Sequence, residues 1–369
     1  MYITYYSKLR RTNTQEELEE ESKKNYGRIV YKETETIRTK ANVSTLKKTM
    51  DELCTMYNVS LTMLFNEQLT PVSTEHYEVF KIPKAKGGYR TISAPDGTIM
   101  ALQRDVLKWL QKDCKVLPHN AAHGFVKHRN CKSALEAHKA RNARWFLKLD
   151  IKSFFDNLDP LKVKDAMLNH AGIAASIYVY KNAHWFGRTI ESHEIVDKIL
   201  HICMLDGKFP QGAPTSPILS NILMTRVDEA IRLAVPNLCY TRYADDMLFT
   251  APSQFDREFV ITKVNEALTT IGLEINKEKT RYGNFNGRNW NLGLMYTNEQ
   301  KITVGSRNKK IIKNRIHNFK TKESCRTRTE WYGINGKLGY YKYIEPEYFA
   351  DIPLLTKEEF EQCVELQQW

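Results

Sequence analysis

The sequence predicts an α+β fold. Short apolar runs bounded by turn residues recur as strand–turn–strand pairs, and between them lie longer segments with apolar residues at helical spacing. One pair of strands is unusual: Asp245 and Asp246 stand between Leu238–Arg242 and Met247–Thr250, in the tetrapeptide Tyr243-Ala244-Asp245-Asp246.

Residues 11–40 open the chain with charge: Glu16, Glu17, Glu19, Glu20 and Glu21 precede Lys23 and Lys24, the pattern of a solvated helix or an arm. A helix is predicted over 44–68, where Leu46, Met50, Leu53 and Met56 share a face. Residues 77–93 switch to strand–turn–strand, with Tyr77, Val79, Phe80 and Ile82 before the turn Lys84-Ala85-Lys86-Gly87-Gly88 and Tyr89-Arg90-Thr91-Ile92 after it. Leu102, Val106, Trp109 and Leu110 predict a helix over 98–114. Trp145–Leu149 runs as a strand into Asp150. In Pro210–Asn221, Ser216 is a candidate N-cap and Pro217 the first helical residue. Ile218, Leu219, Ile222, Leu223, Val227 and Ile231 then supply a buried stripe. Residues 301–329 hold ten Lys or Arg against one acid, Glu323, and Ile312, Ile316 and Phe319 give that helix one apolar face.

Composition narrows the function. The chain has 369 residues, 42% of them hydrophobic, enough for several cores. A net charge of +12 favours a polyanionic partner, most simply nucleic acid. The seven cysteines have no CxxC spacing, which argues against a disulfide framework and a structural zinc site and for reduced packing residues. No signal-peptide core opens the chain, and the most apolar stretch, Ala171–Tyr180, is half the ~20 residues of a membrane helix. The expectation is a cytoplasmic protein with no membrane partner.

The acidic residues suggest the chemistry. Adjacent carboxylates in an apolar hairpin repel each other and resist desolvation, and bound divalent cations are the usual remedy. With Asp150 at a neighbouring strand end, three carboxylates in a basic protein point to two-metal chemistry on a phosphate backbone. Phe154 and Phe155 can wall the sugar of a nucleotide. Phe155 is the candidate that excludes a 2′ hydroxyl, and one of the pair is expected in the core. Gly212 permits close approach to a ligand beside Gln211. Lys279 could serve as general acid to a leaving pyrophosphate, and Lys81 and Arg90, flanking the hairpin turn, could clamp a triphosphate. Lys309, Lys310, Lys313 and Arg315 surround the apolar face of the basic helix and are candidates for phosphate-backbone contact.

Five motifs in order now resemble a known family. They are Asp150-Ile151-Lys152-Ser153-Phe154-Phe155, Gln211-Gly212-Ala213-Pro214-Thr215-Ser216-Pro217, Tyr243-Ala244-Asp245-Asp246, Gly272 to Lys279-Thr280, and Asn291-Leu292-Gly293. Over residues 77–345 they resemble bacterial reverse transcriptases of the retron and group II intron type, most like the stand-alone defence-associated enzymes. The resemblance implies a right-hand polymerase fold with an antiparallel palm sheet. It implies an N-terminal helical extension over 1–75 and fingers over 76–144. The palm would span 145–300, with a fingers-like helical segment at 160–208, and a basic helical thumb and tail 301–369. It implies Asp150, Asp245 and Asp246, with Ile151 beside them, as contacts for two Mg²⁺ ions. Lys81, Arg90, Ser153, Phe154, Phe155, Gln211 and Gly212 would form the nucleotide pocket, and Leu292 and Gly293 would grip the primer. Two retron signatures depart from pattern: Ala134-Leu135-Glu136-Ala137-His138 lacks the leading asparagine, and Thr303-Val304-Gly305 replaces Val-Thr-Gly.

The expected function is therefore RNA-directed DNA synthesis from deoxynucleotides, copying a cognate non-coding RNA into cDNA in antiphage defence. Three alternatives stand beside it. One is an idle RNA-binding scaffold. Another is a ribonucleotide polymerase, against which the bulk of Phe155 speaks. The third is template-poor or protein-primed synthesis by the same site, using Tyr2, Tyr5 or Tyr6, or Tyr340, Tyr341 or Tyr343. Assembly of identical copies through the 11–40 arm is left open.

Overall fold

The structure is a computed structural model that describes residues 72, 74–84, 87–183, 191–285, 291–297, 299 and 301–363. The charged arm and the helix expected over 44–68 lie outside the described residues, as do Tyr2, Tyr5 and Tyr6. In chain order, β1 (Tyr77–Pro83) and β2 (Tyr89–Pro95) precede α1 (Gly97–Lys108), α2 (Cys131–Lys139) and β3 (Trp145–Asp150). Three helices follow, α3 (Pro160–Leu168), α4 (Ala171–Ala183) and α5 (Ser192–Cys203). Next come α6 (Ser216–Ala234), β4 (Cys239–Tyr243), β5 (Asp246–Ala251) and α7 (Arg257–Thr269). The chain continues through β6 (Arg281–Asn284), β7 (Met295–Tyr296), β8 (Ile302–Thr303), α8 (Gly305–Thr321) and α9 (Arg328–Ile344). None of the described helices is long and apolar enough to cross a membrane.

The chain divides into two compact units. One comprises the described residues up to His119 with Ser153–Val227; the other comprises Asn120–Lys152 with the residues from Asp228 onward.

In the first unit, β1 and β2 form the expected hairpin, closed by Lys84 N–H to Gly88 O at 2.9 Å. α1 begins where Asp96 accepts from the N–H groups of Thr98 and Ile99, satisfying two donors that the helix start would leave orphaned. Its apolar stripe carries Val106 into the core and continues through Trp109 and Leu110 in a π-helical turn, Trp109–Asp113. Buried Gln103 on α1 donates to Tyr77 Oη and Ile202 O, tying α1 to β1 and α5. Asp159 caps α3, with Pro160 at its first turn.

The second unit is built on a four-stranded antiparallel sheet in the order β4-β5-β3-β6. β5 is central, and Met247 to Ala251 are all buried, so both of its faces are covered. Strand alternation puts Phe146, Lys148 and Asp150 on one face with Asp246, Leu248 and Thr250; Tyr240 and Arg242 take the other. α2 is pinned to the first face by His138, whose two ring nitrogens lie 2.7 Å from Thr250 Oγ1 and Thr241 Oγ1. α8 and α9 pack Ile312, Phe319, Ile334 and Leu338 into one core with Phe146 and Leu248. The apolar stripe expected on α8 is thus its buried face. The six described cysteines are free thiols.

Candidate active site

The acidic tetrapeptide is the tip of the β4–β5 hairpin. Tyr243 pairs with Asp246, leaving Ala244 and Asp245 as a two-residue loop. Ala244 has φ +55°, a left-handed conformation that costs an alanine about 1–2 kcal/mol. Such strain persists where surrounding structure enforces it. Here the enforcement comes from the segment Ala121–Gly124, which runs beside β4. Arg242 N–H donates to Ala121 O and His123 N–H to Arg242 O, both at 2.7 Å. Gly124 then passes so close to the tip that a Cβ on it would sit 2.5 Å from Ala244 N.

Asp150 closes β3 directly opposite Asp246, its Cα partner in the sheet. Ile151 N–H donates to Asp245 O at 2.9 Å, and Asn276 N–H to Asp150 O at 2.7 Å. The three aspartates are therefore held in one backbone network. Asp150 is 4% exposed, and both its oxygens accept from Lys279 Nζ, at 2.8 and 2.9 Å. Asp246 Oδ1 lies 2.8 Å from Lys148 Nζ. Burial, then the charges of Asp150 and Asp246, push the Asp245 carboxyl above the ordinary aspartate range. Burial works to lower the Lys279 ammonium, but Asp150 outweighs it and holds the pKa above normal.

These oxygen donors suit a hard divalent cation. As placed, two of the three carboxylates are turned onto lysines, and among the described residues no three acidic, His or Cys side chains form a ready metal cage. The donor chemistry fits the expected ions. Ile151 is buried and bridged to Ile275.

Leu292 and Gly293 form a second tight turn. Asn291 and Leu294 exchange both backbone hydrogen bonds, at 2.8 and 2.9 Å, and φ is +54° and +77° at the two turn residues. Positive φ at both is the type I′ pattern, in which a leucine is strained. Lys148, Tyr243, Asp246, Asn291 and Leu292 line one small cavity, so this turn and the acidic hairpin share a boundary.

The other candidate residues take the following places. Phe154 is 4% exposed and packs in the core, as expected of one member of the pair; Phe155, in ring contact with it, is half-buried. Ser153 has φ +47°. Gly212, at φ +122°, is required by its own chain, because a Cβ there would meet Ser93 O at 2.8 Å and Ile92 Cγ2 at 2.9 Å. Gln211 O accepts from Ser93 N–H, which fixes this loop on β2. α6 starts one residue earlier than expected, and the Ser216 hydroxyl donates to Pro210 O at 2.9 Å instead of capping the helix. Lys81 pairs with Thr91 and Arg90 with Ile82, so alternation puts the two on opposite faces of the hairpin. Arg90 shares its face with Ile92, the neighbour of Gly212; Lys81 does not. In α8, Lys309 is engaged by Glu345 at 2.6 Å and by the Tyr348 ring, and Arg315 is bound bidentately by Glu330. Lys310 and Lys313 stay exposed. Tyr340 neighbours Cys131 and Tyr243, and the Tyr343 hydroxyl accepts from Asn130 Nδ2.

Lys148, Asp228 and Arg242 were not singled out from sequence. The signal for all three was a charge inside an apolar run: Lys148 in β3, Arg242 in β4 and Asp228 on α6.

An antiparallel sheet that carries one carboxylate at a strand end and two at the neighbouring hairpin tip is the core of an α+β polymerase fold. Residues 82–311 match the family "Reverse transcriptase (RNA-dependent DNA polymerase)", and the chain belongs to it. The retron Ec83 reverse transcriptase of Escherichia coli is 28% identical over 280 residues, 74% of this chain and 84% of that one. The retron Mx65 reverse transcriptase of Myxococcus xanthus is 29% identical over 277 residues, 74% of this chain and 62% of the relative. Among solved structures, telomerase from Candida tropicalis, in complex with a fragment of telomeric RNA, matches at a TM-score of 0.45 and 15% identity. The match covers 82% of this chain and 58% of the telomerase, too loose a likeness to carry a functional argument.

Proposed function

We propose that this chain copies an RNA template into DNA, with Asp150, Asp245 and Asp246 as the ligands of two Mg²⁺ ions. The observation that carries the reading is the sheet register that sets Asp150 opposite Asp246, with Ile151 N–H bonded to the Asp245 carbonyl. Bound there, the ions would activate a primer hydroxyl and stabilise a leaving pyrophosphate.

The protein's own groups do the rest. Burial and the charges of Asp150 and Asp246 leave the Asp245 carboxylate poised to take up positive charge. Lys279, on the rim at Asp150, is the candidate proton donor to pyrophosphate. Phe155 is the candidate sugar gate, and Arg90, Gln211 and Ser153 complete the proposed nucleotide contacts. Leu292 and Gly293 are the proposed primer grip. Exposed Lys310 and Lys313 are the proposed phosphate-backbone contacts on α8.

The partners in this reading are deoxynucleotides, a non-coding RNA template and its cDNA product, in the cytoplasm, with antiphage defence as the setting. The likeness to retron reverse transcriptases supports the template; the defence role follows from the resemblance of the motifs to defence-associated enzymes.

The test is primer extension on an RNA template with purified protein, Mg²⁺ and four deoxynucleotides, together with sequencing of the nucleic acid that copurifies. A DNA product complementary to the template is expected. Tight RNA binding without extension of any primer would replace this reading with the scaffold.

A further inference from the structure

The acidic hairpin is braced from the sheet face opposite its aspartates. Arg242, two residues before the turn, is 1% exposed, and Asp228 on α6 is fully buried. The guanidinium donates from Nε to Asp228 Oδ1 at 2.9 Å and Oδ2 at 3.1 Å, and from Nη2 to Oδ2 at 2.8 Å. Tyr240 Oη donates to Asp228 Oδ1 at 2.7 Å. The remaining arm of Arg242, Nη1, donates to Ala244 O at 3.2 Å.

A buried Arg–Asp pair is a poor way to gain stability, since desolvation offsets most of the attraction and apolar residues of similar volume often do as well. What the pair does supply is direction. The carbonyl it holds belongs to the strained residue of the turn, and the peptide carrying that carbonyl is the one that leads into Asp245.

The geometry points to Arg242 as a positioning residue. Locked by Asp228, it fixes the Ala244 carbonyl and so aims the Asp245 and Asp246 carboxylates. Gly124 closes the same clamp from the other side, where Ala244 N leaves no room for a Cβ. Lysine cannot replace the guanidinium, because one ammonium cannot serve both Asp228 and the carbonyl with the fork's fixed geometry.

The inference rests on the reading of Asp245 and Asp246 as the reacting carboxylates, and its test separates the two. Two variants are made: Arg242→Lys, which keeps the buried charge pair, and the double variant Arg242→Met/Asp228→Leu, which removes it and keeps the volume apolar. Each is checked for wild-type circular dichroism. Three readouts follow: amide hydrogen exchange in the peptide spanning Tyr243–Met247, the kcat and KM for deoxynucleotide addition, and the affinity for primer–template.

The expected result for both folded variants is turn exchange at least ten-fold faster. With it, kcat should fall about ten- to hundred-fold while primer–template affinity stays within two-fold, as a misaimed group should produce. Wild-type exchange, or wild-type kcat, in either folded variant overturns the assignment. If wild-type protein proves inactive, the polymerase reading fails on its own, and the exchange arm still decides whether Arg242 holds the turn.

Discussion

Lys148 Nζ lies 2.8 Å from Asp246 Oδ1, so one of the three carboxylates is tethered by the strand that carries another. Lys148 stands two residues before Asp150 on the same sheet face, within reach of Asp246 across the pair. Both side chains are largely covered, which keeps the attraction from being screened away. Replacing Lys148 by Met should leave the fold intact and remove a charge-assisted hydrogen bond of about 1.5–3 kcal/mol. The rate of deoxynucleotide addition should fall about ten-fold or more in single-turnover kinetics. An unchanged rate in a folded variant would assign Lys148 a purely local role.

Phe155 is the half-buried member of its aromatic pair, and Phe154 is the packed one. Phe155→Ala should therefore gain ribonucleotide use, read as the ratio of kcat/KM for a deoxynucleotide to that for its ribonucleotide, which should drop by about ten-fold or more. Phe154→Ala should instead lower stability by about 3–5 kcal/mol, the cost of emptying a core aromatic site. If wild-type protein already prefers ribonucleotides, the gate lies elsewhere.

Leu292 occupies a turn position suited to glycine or asparagine. Leu292→Gly should relieve backbone strain at some cost in chain entropy, leaving stability within about 1 kcal/mol of wild type. Primer affinity should weaken several-fold, measured by fluorescence anisotropy of a labelled primer–template. A variant that binds primer as well as the parent would show that the turn does not touch it.

Acid should destabilise the second unit through two buried histidines. Burial, with His123 adding to it, lowers the His138 pKa to about 3; burial, then Arg129, lowers that of His123 to about 4. The unfolded chain takes up each proton near pH 6.5, and the fold refuses it until the lower value. Stability is therefore full above about pH 6.5 and falls as pH drops toward 3, by about 1.4 kcal/mol per pH unit for each group. Urea unfolding at pH 7.0, 6.0 and 5.0 measures it. In His138→Gln, whose amide can still reach one threonine, the slope between those pH values should be shallower.

Much of the fold is legible in the sequence. The β4–β5 hairpin, the strand into Asp150, the stripe of α6 and the buried face of α8 all follow from apolar periodicity, the strongest local signal a sequence carries. What failed to show was set by register or by distant partners. The parity that separates Lys81 from Arg90 depends on the hairpin's cross-strand register, which residue types at the turn do not reveal. Lys309 and Arg315 look solvated on a helical wheel, but Glu345 and Glu330, brought back by α9, take them up. Gly212 reads as a point of close approach to a ligand, and what the fold brings against it is Ser93 and Ile92 of β2. Nothing local marks the role of Arg242, because its partner Asp228 stands 14 residues earlier on α6.

The most direct measurement is deoxynucleotide addition on an RNA template, compared between wild type and the Asp245→Asn and Asp150→Asn variants under saturating Mg²⁺. Losing a carboxylate that neutralises the reacting ions should reduce the rate by at least about a thousand-fold in both while the fold and RNA affinity persist. Synthesis within ten-fold of wild type in either variant would contradict the account.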